Sequence, residues 1–290
     1  MERLDTAVTP LQPFLYQEIV RRALHEDLGR AGDLTTDAIV RPEEEAVASV
    51  IARAEGRIAG LDIAIYTFRC LDERMHAQVL VADGNDAHAG DQLAVIRGSA
   101  RAILSAERTA LNFLGRLSGI ATATRGIVAA VAPYHARVVC TRKTTPGLRL
   151  LEKYAVRAGG GANHRFGLDD AVLIKDNHRT IAGGITEAIR RVRRHAGHMV
   201  KIEVEVETLR ELEEALGQGV DAILLDNMPE EMLAQGVHMA KGKALTEASG
   251  GITPANAAAI AATGVDLLSV GWITHSSPAL NVSLDLAVGV

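Results

Sequence analysis

"KIEVEVETLRELEEALGQGVDAILLDN", residues 201–227, carries the pattern that decides the fold. A short run with glutamate at every second position stops near Glu207. A helical stretch follows, and a second apolar run closes on Asp226 and Asn227. Strand, helix, strand, with polar residues where each strand ends, is a βα unit. The same rhythm extends in both directions. Strand ends are expected at "RVVCTRK", "AVLIKDNH", "KIEVEVE", "AILLDN", "ALTEASGG" and "LLSVGW", with room for a helix between successive runs. Repeated βα units close most readily into a barrel-like parallel sheet.

Upstream the rhythm is different. Residues 14–28 place apolar side chains at helical spacing. From about Ala46 to Gly98, short apolar runs are broken by Gly, Asp and Asn, as in strands and tight turns, and "GLDIAIYTFRCL" between them reads as helix. Ser99 is placed to cap a long helix beginning "ARAILSAERTALNFLGRLSGIATAT". The chain therefore divides near residue 115 into an N-terminal α+β domain, 1–114, and a βα domain, 115–275. The tail, 276–290, is too short to be a domain and is expected to pack back on the first.

Bulk composition narrows the function. Aromatic residues make up 3% of the chain against 48% hydrophobic overall, so the core must be aliphatic, which favours helices on parallel strands. A formal charge of −5 argues against a nucleic-acid partner, which needs a broad basic surface. No apolar run approaches a membrane span. The N-terminal "MERLDTAVTPLQPFLYQ" is not expected to be a signal peptide. Cys70 and Cys140 make neither a disulfide framework nor a zinc site, and a reducing, cytoplasmic compartment is expected.

In a parallel βα barrel the chemistry sits at the carboxyl ends of the strands. Those ends supply, in order, Arg142 and Lys143; Lys175, Asp176, Asn177 and His178; Glu203, Glu205 and Glu207; Asp226; Glu247 with Ser249, Gly250 and Gly251; and Gly271. Cations come first, carboxylates next and small residues last. Glycine loops after the last strands expose backbone N–H groups suited to phosphate. Carboxylates at Glu205 and Asp226 suit either a divalent ion or the hydroxyls of a sugar. Alternation puts the three "EVEVE" glutamates on one strand face. Arg142 and Arg165 suit bidentate contact with carboxylates, and Lys143 and Lys175 act as point charges for phosphate. His164 follows a glycine turn and is expected to orient or donate to an anion. The cationic stretch 141–166 reads as two anchors, Arg142-Lys143 and His164-Arg165, joined by a helix on which Arg149 and Arg157 are expected on a solvated face, with Glu152 and Lys153 as a structural ion pair.

"HEDLGRAGDLTT", "ERTALNFLGRLSGIAT", "TRKTTPGLRLLEKYAVRAGGGANHRFGLDDAVLIKDNH", "EVEVE", "ILLDN", "EASGGI" and "SVGWITHS" together resemble the quinolinate phosphoribosyltransferases, from about His25 to Pro278. The resemblance implies an α/β sandwich followed by an open (β/α) barrel-like domain. It implies a pentosyltransferase of NAD biosynthesis that joins quinolinate to phosphoribosyl pyrophosphate with Mg²⁺. The products are nicotinate mononucleotide, pyrophosphate and carbon dioxide. It also implies a cytoplasmic homodimer, or a higher oligomer, whose subunits complete each other's sites.

By the same resemblance, Arg142, His164, Arg165 and Lys175 surround the quinolinate carboxylates, and Arg108 enters from the neighbouring subunit. Lys143, with Thr144 beside it, contacts the phosphoribosyl substrate. Glu205 and Asp226 serve its ribose and Mg²⁺, directly or through water; Ser249, Gly250, Gly251 and Gly271 receive the 5-phosphate. The choice of Glu205 among the three glutamates rests on the resemblance. Two residues depart from the family pattern: Trp272, expected to crowd or reshape the phosphate loop, and Asn281, in place of a common acid. Two rivals stay in view. One is a related phosphoribosyltransferase with another acceptor, such as the paralogues associated with molybdenum transport. The other is a phosphosugar sensor that binds without turnover.

Overall fold

The computed structural model describes residues 8–287, so residues 1–7 and 288–290 lie outside the description below. Contacts divide the chain into two units. The first comprises residues 1–125, 144–160 and 276–290, and the second residues 126–143 and 161–275. The segment 144–160 thus groups with the first unit although it lies between strands of the second.

The first unit opens with a 3-10 turn, Pro13–Leu15, and α1, Gln17–Leu28. Then α2, Leu34–Ile39, starts where the Asp33 carboxylate accepts the Thr36 N–H. The chain continues through β1 (Glu45–Ala52), β2 (Gly56–Arg57), α3 (Leu61–Arg69), β3 (His76–Val79), β4 (Asp86–Ala87), β5 (Gln92–Ser99) and α4 (Ala100–Ala130). Strand β1 alternates buried and part-buried residues, the period-two pattern of a sheet with one face on a core. It lies between β5 and the tail strand β12 (Val282–Ala287) in an antiparallel sheet of order β12-β1-β5-β3. The tail strand β12 is thus one edge of the first sheet. Beneath it, residues of β1, β5, α3 and α4, together with Ile58 after β2, form one core that includes Leu61, Phe68, Ile96, Ile103 and Leu114. Among the described residues of that core Phe68 is the one aromatic, in keeping with the sparse aromatic content.

Helix α4 begins as expected, with the Ser99 hydroxyl accepting the Ala102 N–H at 3.4 Å. Its one-sided burial is completed by a close approach to the tail, where a Cβ added at Gly119 would collide with the Pro278 carbonyl oxygen. A backbone oxygen cannot swing aside as a flexible side chain can. Gly119→Ala is therefore expected to destabilise the protein by roughly 1–3 kcal/mol, read as a lower denaturant midpoint at unchanged slope.

Helix α5, Arg149–Ala158, corrects one expectation. Arg157 is exposed, but Arg149 is half-buried and donates to the Thr144 hydroxyl at 3.0 Å. Glu152 and Lys153 are both fully buried. Glu152 is held by Arg116 at 2.8 Å and by the Thr145 hydroxyl at 2.8 Å. Sequence spacing gave the helix but not which face the rest of the unit covers.

The second unit is a six-stranded parallel sheet. Its strands are β6 (Arg137–Val139), β7 (Val172–Ile174), β8 (Ile202–Val206), β9 (Ala222–Asp226), β10 (Leu245–Ser249) and β11 (Leu267–Ser269), all six at the expected runs. Between them lie α6 (Asp176–Ala182), α7 (Ile185–His195), α8 (Leu209–Gly217), α9 (Glu230–Ala240) and α10 (Ala257–Ala262), and α11 (Trp272–His275) follows β11. One expected helix proves to be two, α6 and α7, broken at Gly183 and Gly184. The order β6-β11-β10-β9-β8-β7 leaves the first two strands as the two edges. The barrel is thus open between β6 and β7, and Ala162 makes a single parallel bridge to Val139 on the β6 side. Cys70 and Cys140 are free thiols. Among the described residues no helix is long and apolar enough to cross a membrane.

Candidate active site

Because the six strands are parallel, their carboxyl ends share one end of the second unit. Register places Glu205, Leu224, Glu247 and Leu267 in one row across β8 to β11. One layer further on, Asp226, Ser249, Ser269 and Val139 are aligned. Residues two apart on a strand share a face, so both rows present their side chains to the same side. Strand β8 is wholly buried and flanked by β7 and β9, not a hydrated edge.

The glutamates of "EVEVE" are now separable. Glu203 and Glu205 are buried, while Glu207 falls just beyond β8, is exposed and faces Arg179 at 3.7 Å. Glu205 accepts from the Lys175 ammonium at 2.5 Å. The carboxylate is the more sheltered partner, its side chain 9% exposed against 47% for the lysine. Lys175 thus has one flank on a buried acid and another open to an incoming anion.

Asp226 ends β9 half-buried, and its Oδ2 accepts from the Asn227 side-chain amide at 2.8 Å. Asn227 has φ 52, the one non-glycine residue with positive φ among those described. Its N–H donates to the Ser249 carbonyl at 2.9 Å, tying the β9 and β10 ends together. Strained backbone at a strand's carboxyl end is held only where surroundings enforce it, and such positions cluster at working sites. Beyond the Asp-Asn pair, no sequence pattern signals this turn.

The glycine loops form the far wall. Gly250 has φ +101, and a Cβ there would collide with the Asn227 side-chain oxygen, so only glycine fits. At Gly271 a Cβ would sit 3.1 Å from the Lys143 side chain, which brings the β6 and β11 ends together. Thr274 secures that approach by donating to the Lys143 carbonyl at 2.7 Å. Trp272 donates its indole N–H to the Ile252 carbonyl at 2.9 Å. It thereby ties the two glycine loops to each other. Asn281 lies outside this unit, its carbonyl accepting from the Arg53 N–H beside β12.

The near wall comes from residues 161–166. Ala162 pairs with β6 through its N–H to the Val138 carbonyl at 2.8 Å, which aims the following residues at the sheet. Arg165 donates from Nη1 to the Ala171 carbonyl at 2.7 Å. Burial first, then the neighbouring Arg142 charge, hold its guanidinium below the usual arginine range, a sign that two cations converge here. His164 Nε2 lies 2.9 Å from Glu203 and 3.7 Å from Glu247. Burial first, then the Glu203 carboxylate, push the Glu247 carboxyl well above the usual range. Ligand atoms of these three side chains lie within 4.8 Å of one another, which makes the cluster a geometric candidate for a cation.

The second unit therefore brings together Arg142, Lys143, His164, Arg165, Lys175, Glu205, Asp226, Ser249, Gly250, Gly251 and Gly271. Arg108, exposed on α4, and Thr144 belong to the first unit. Glu203 and Glu247 join the site without a role that their place in the sequence predicts. A charged residue inside the buried run "LTEAS" was the available signal for Glu247, and the alternation of "EVEVE" was the signal for Glu203.

Paired cations, buried acids and glycine loops at one end of a parallel sheet are the equipment of an enzyme that handles phosphorylated, anionic substrates. Comparison makes the class specific. Residues 33–118 match the model of the quinolinate phosphoribosyl transferase N-terminal domain, and residues 120–285 match that of its C-terminal domain. The chain is 46% identical over 263 residues to a probable carboxylating nicotinate-nucleotide pyrophosphorylase of Bacillus subtilis, covering 91% of this chain and 90% of the relative. It is 44% identical over 278 residues to the carboxylating nicotinate-nucleotide pyrophosphorylase of Mycobacterium leprae, covering 93% and 96%. The crystal structure of NadC from Streptococcus pyogenes superposes with a TM-score of 0.94 at 40% identity, covering 97% of this chain and all of that one. The chain belongs to the quinolinate phosphoribosyl transferase family.

Proposed function

We propose that the chain transfers a phosphoribosyl group from phosphoribosyl pyrophosphate to quinolinate with loss of one carboxylate, giving nicotinate mononucleotide, pyrophosphate and carbon dioxide. The observation that carries this reading is the order of groups at one end of the sheet. Arg142, Arg165 and Lys175 form an anion-receiving side, and Lys175 is docked on Glu205. Asp226 follows, then the loops at Gly250 and Gly271. That sequence of charges fits a dicarboxylate at one side and a phosphorylated sugar at the other. The names of the relatives support it.

Each group has a role in this reading. Arg142, Arg165 and Lys175 hold the two carboxylates, with His164 beside Arg165, so that the ring nitrogen faces the sugar's C1. Lys143, next to Gly271, attracts the departing pyrophosphate. Backbone N–H groups around Ser249, Gly250, Gly251 and Gly271 receive the 5-phosphate. The C1–oxygen bond to pyrophosphate breaks and the C1–nitrogen bond forms. Glu205 and Asp226 offset the positive charge that builds on C1 and the ring oxygen between those events. As the bond to the adjacent carboxylate breaks, its electron pair stays on the ring carbon, where the positive charge of the ribosylated ring nitrogen stabilises it, and a proton from solvent takes it up. Arg108 enters from a second copy with Thr144 beside Lys143, in a cytoplasmic homodimer with shared sites.

Mg²⁺ fits the donors present. Glu205 and Asp226 are hard oxygen ligands facing the same side of the sheet, and Mg²⁺ commonly uses one or two carboxylates while keeping several waters. When bound it supplies positive charge for the pyrophosphate oxygens.

The test is turnover with alternative acceptors. Quinolinate, phosphoribosyl pyrophosphate and Mg²⁺ should give nicotinate mononucleotide, and nicotinate in place of quinolinate should give little. Two arginines and two lysines match a dianion better than a monoanion. Turnover of another acceptor alone would point to a related transferase. Binding of the phosphosugar without turnover would point to a sensor.

A further inference from the structure

His164 is held on both ring nitrogens. The Arg165 backbone N–H donates to Nδ1 at 2.7 Å, and Nε2 lies 2.9 Å from a Glu203 oxygen. A nitrogen that accepts an N–H cannot itself carry a proton, so the proton sits on Nε2 and points at Glu203. The ring therefore offers no N–H to a substrate carboxylate. The same assignment disfavours a metal on Nε2. A metal-bound histidine has its lone pair on the metal and its N–H on the far nitrogen, donating outwards. Here the far nitrogen faces a donor. The remaining wall is Glu247, whose side chain is fully buried and whose Oε1 has no hydrogen-bond partner among the described residues. Ser269 meets its carboxylate from β11.

We propose that Glu203 is a positioning residue for the dicarboxylate end of the site: it fixes His164 as the Nε2–H tautomer, which in turn holds the Arg165 main chain and aims the Arg165 guanidinium. This rests on the proposed reaction, in which Arg165 receives a quinolinate carboxylate. The chain of contacts is continuous. Glu203 grips the ring, the ring accepts the Arg165 N–H, and Arg165 is fixed at its far end by the Ala171 carbonyl. Glu203 also places a negative charge near the convergence of Arg142 and Arg165. Releasing His164 would free the segment that pairs with β6 at Ala162.

Two measurements test it. In the wild-type protein labelled with ¹⁵N-histidine, long-range proton–nitrogen correlation should show His164 with a protonated Nε2 and an unprotonated Nδ1, its signals assigned by their loss in His164→Gln. A protonated Nδ1 with a bare Nε2 would overturn the proposal without any reference to activity. In steady-state kinetics, Glu203→Leu should raise KM for quinolinate by roughly ten- to hundred-fold, leave KM for phosphoribosyl pyrophosphate within about two-fold, and change the His164 signature. Glu203→Gln, whose amide oxygen still accepts the Nε2–H, should restore most of the quinolinate affinity. Equal rises in both KM values, or an unchanged quinolinate KM in Glu203→Leu, would overturn it. If Glu203→Leu does not fold, Glu203→Gln and the wild-type spectrum decide. A wild type that makes no nicotinate mononucleotide would sink the reaction and the quinolinate role with it, while the spectrum would still decide the tautomer.

Discussion

Lys175→Ala should lower kcat/KM for quinolinate by roughly 100- to 1000-fold, the largest loss expected from any single side chain at the site. Two effects add. The substitution removes a cation from the anion-receiving side, and it strips the partner from Glu205, whose side chain is 9% exposed. A sheltered carboxylate without its cation repels the quinolinate dianion at the moment Lys175 would have attracted it. Lys175→Arg should recover only part of the loss, because a planar fork does not replace a point charge seated on Glu205 at 2.5 Å. Arg142→Ala should act in the same direction through quinolinate, with binding of phosphoribosyl pyrophosphate retained. Kinetics with each substrate varied separately checks both. Wild-type-like kinetics in either variant would refute the assignment.

Gly250→Ala should strike the other substrate. Two constraints meet at this residue: φ is +101, and an added Cβ runs into the Asn227 side chain. Alanine there forces the loop after β10 to move, and with it the backbone N–H groups proposed for the 5-phosphate. KM for phosphoribosyl pyrophosphate should rise about ten-fold or more, while binding of quinolinate alone, measured by calorimetry, should stay close to wild type. Asn227 is pulled by the same change, and its amide is bonded to Asp226. Some loss in kcat is therefore expected as well. An unchanged KM for phosphoribosyl pyrophosphate would mean that the phosphate sits elsewhere.

The parallel strands were legible because buried βα units write themselves as apolar runs closing on polar residues. All six runs proved to be strands, and the sheet they build explains why a stretch such as "AILLDN" can end on a half-buried acid. Weaker elements escaped. Strand β12 has three part-buried and three exposed residues, so its identity comes from pairing with β1 and not from its own pattern. The break between α6 and α7 depends on two glycines that a helical pattern alone tolerates.

The site divides in the same way. Charges at strand ends were visible because topology puts them at one end. Alternation put Glu203, Glu205 and Glu207 on one face, but it did not say that β8 stops at Val206 and leaves Glu207 outside. The grip of Glu203 on His164 joins a strand to a loop far away in the chain, and no local pattern encodes it. In sequence, the cationic stretch 141–166 reads as two anchors joined by a helix. Its anchors do lie in the second unit, while the helix, with buried Glu152 and Lys153, groups with the first.

The central claim is that one site joins ribosylation to decarboxylation. Quinolinate labelled in the carboxyl carbon next to the ring nitrogen tests it most directly, with the wild-type protein, phosphoribosyl pyrophosphate and Mg²⁺. The account predicts that label leaves as carbon dioxide in step with unlabelled nicotinate mononucleotide and pyrophosphate. A nucleotide product that keeps the label, or pyrophosphate release without carbon dioxide, would contradict it.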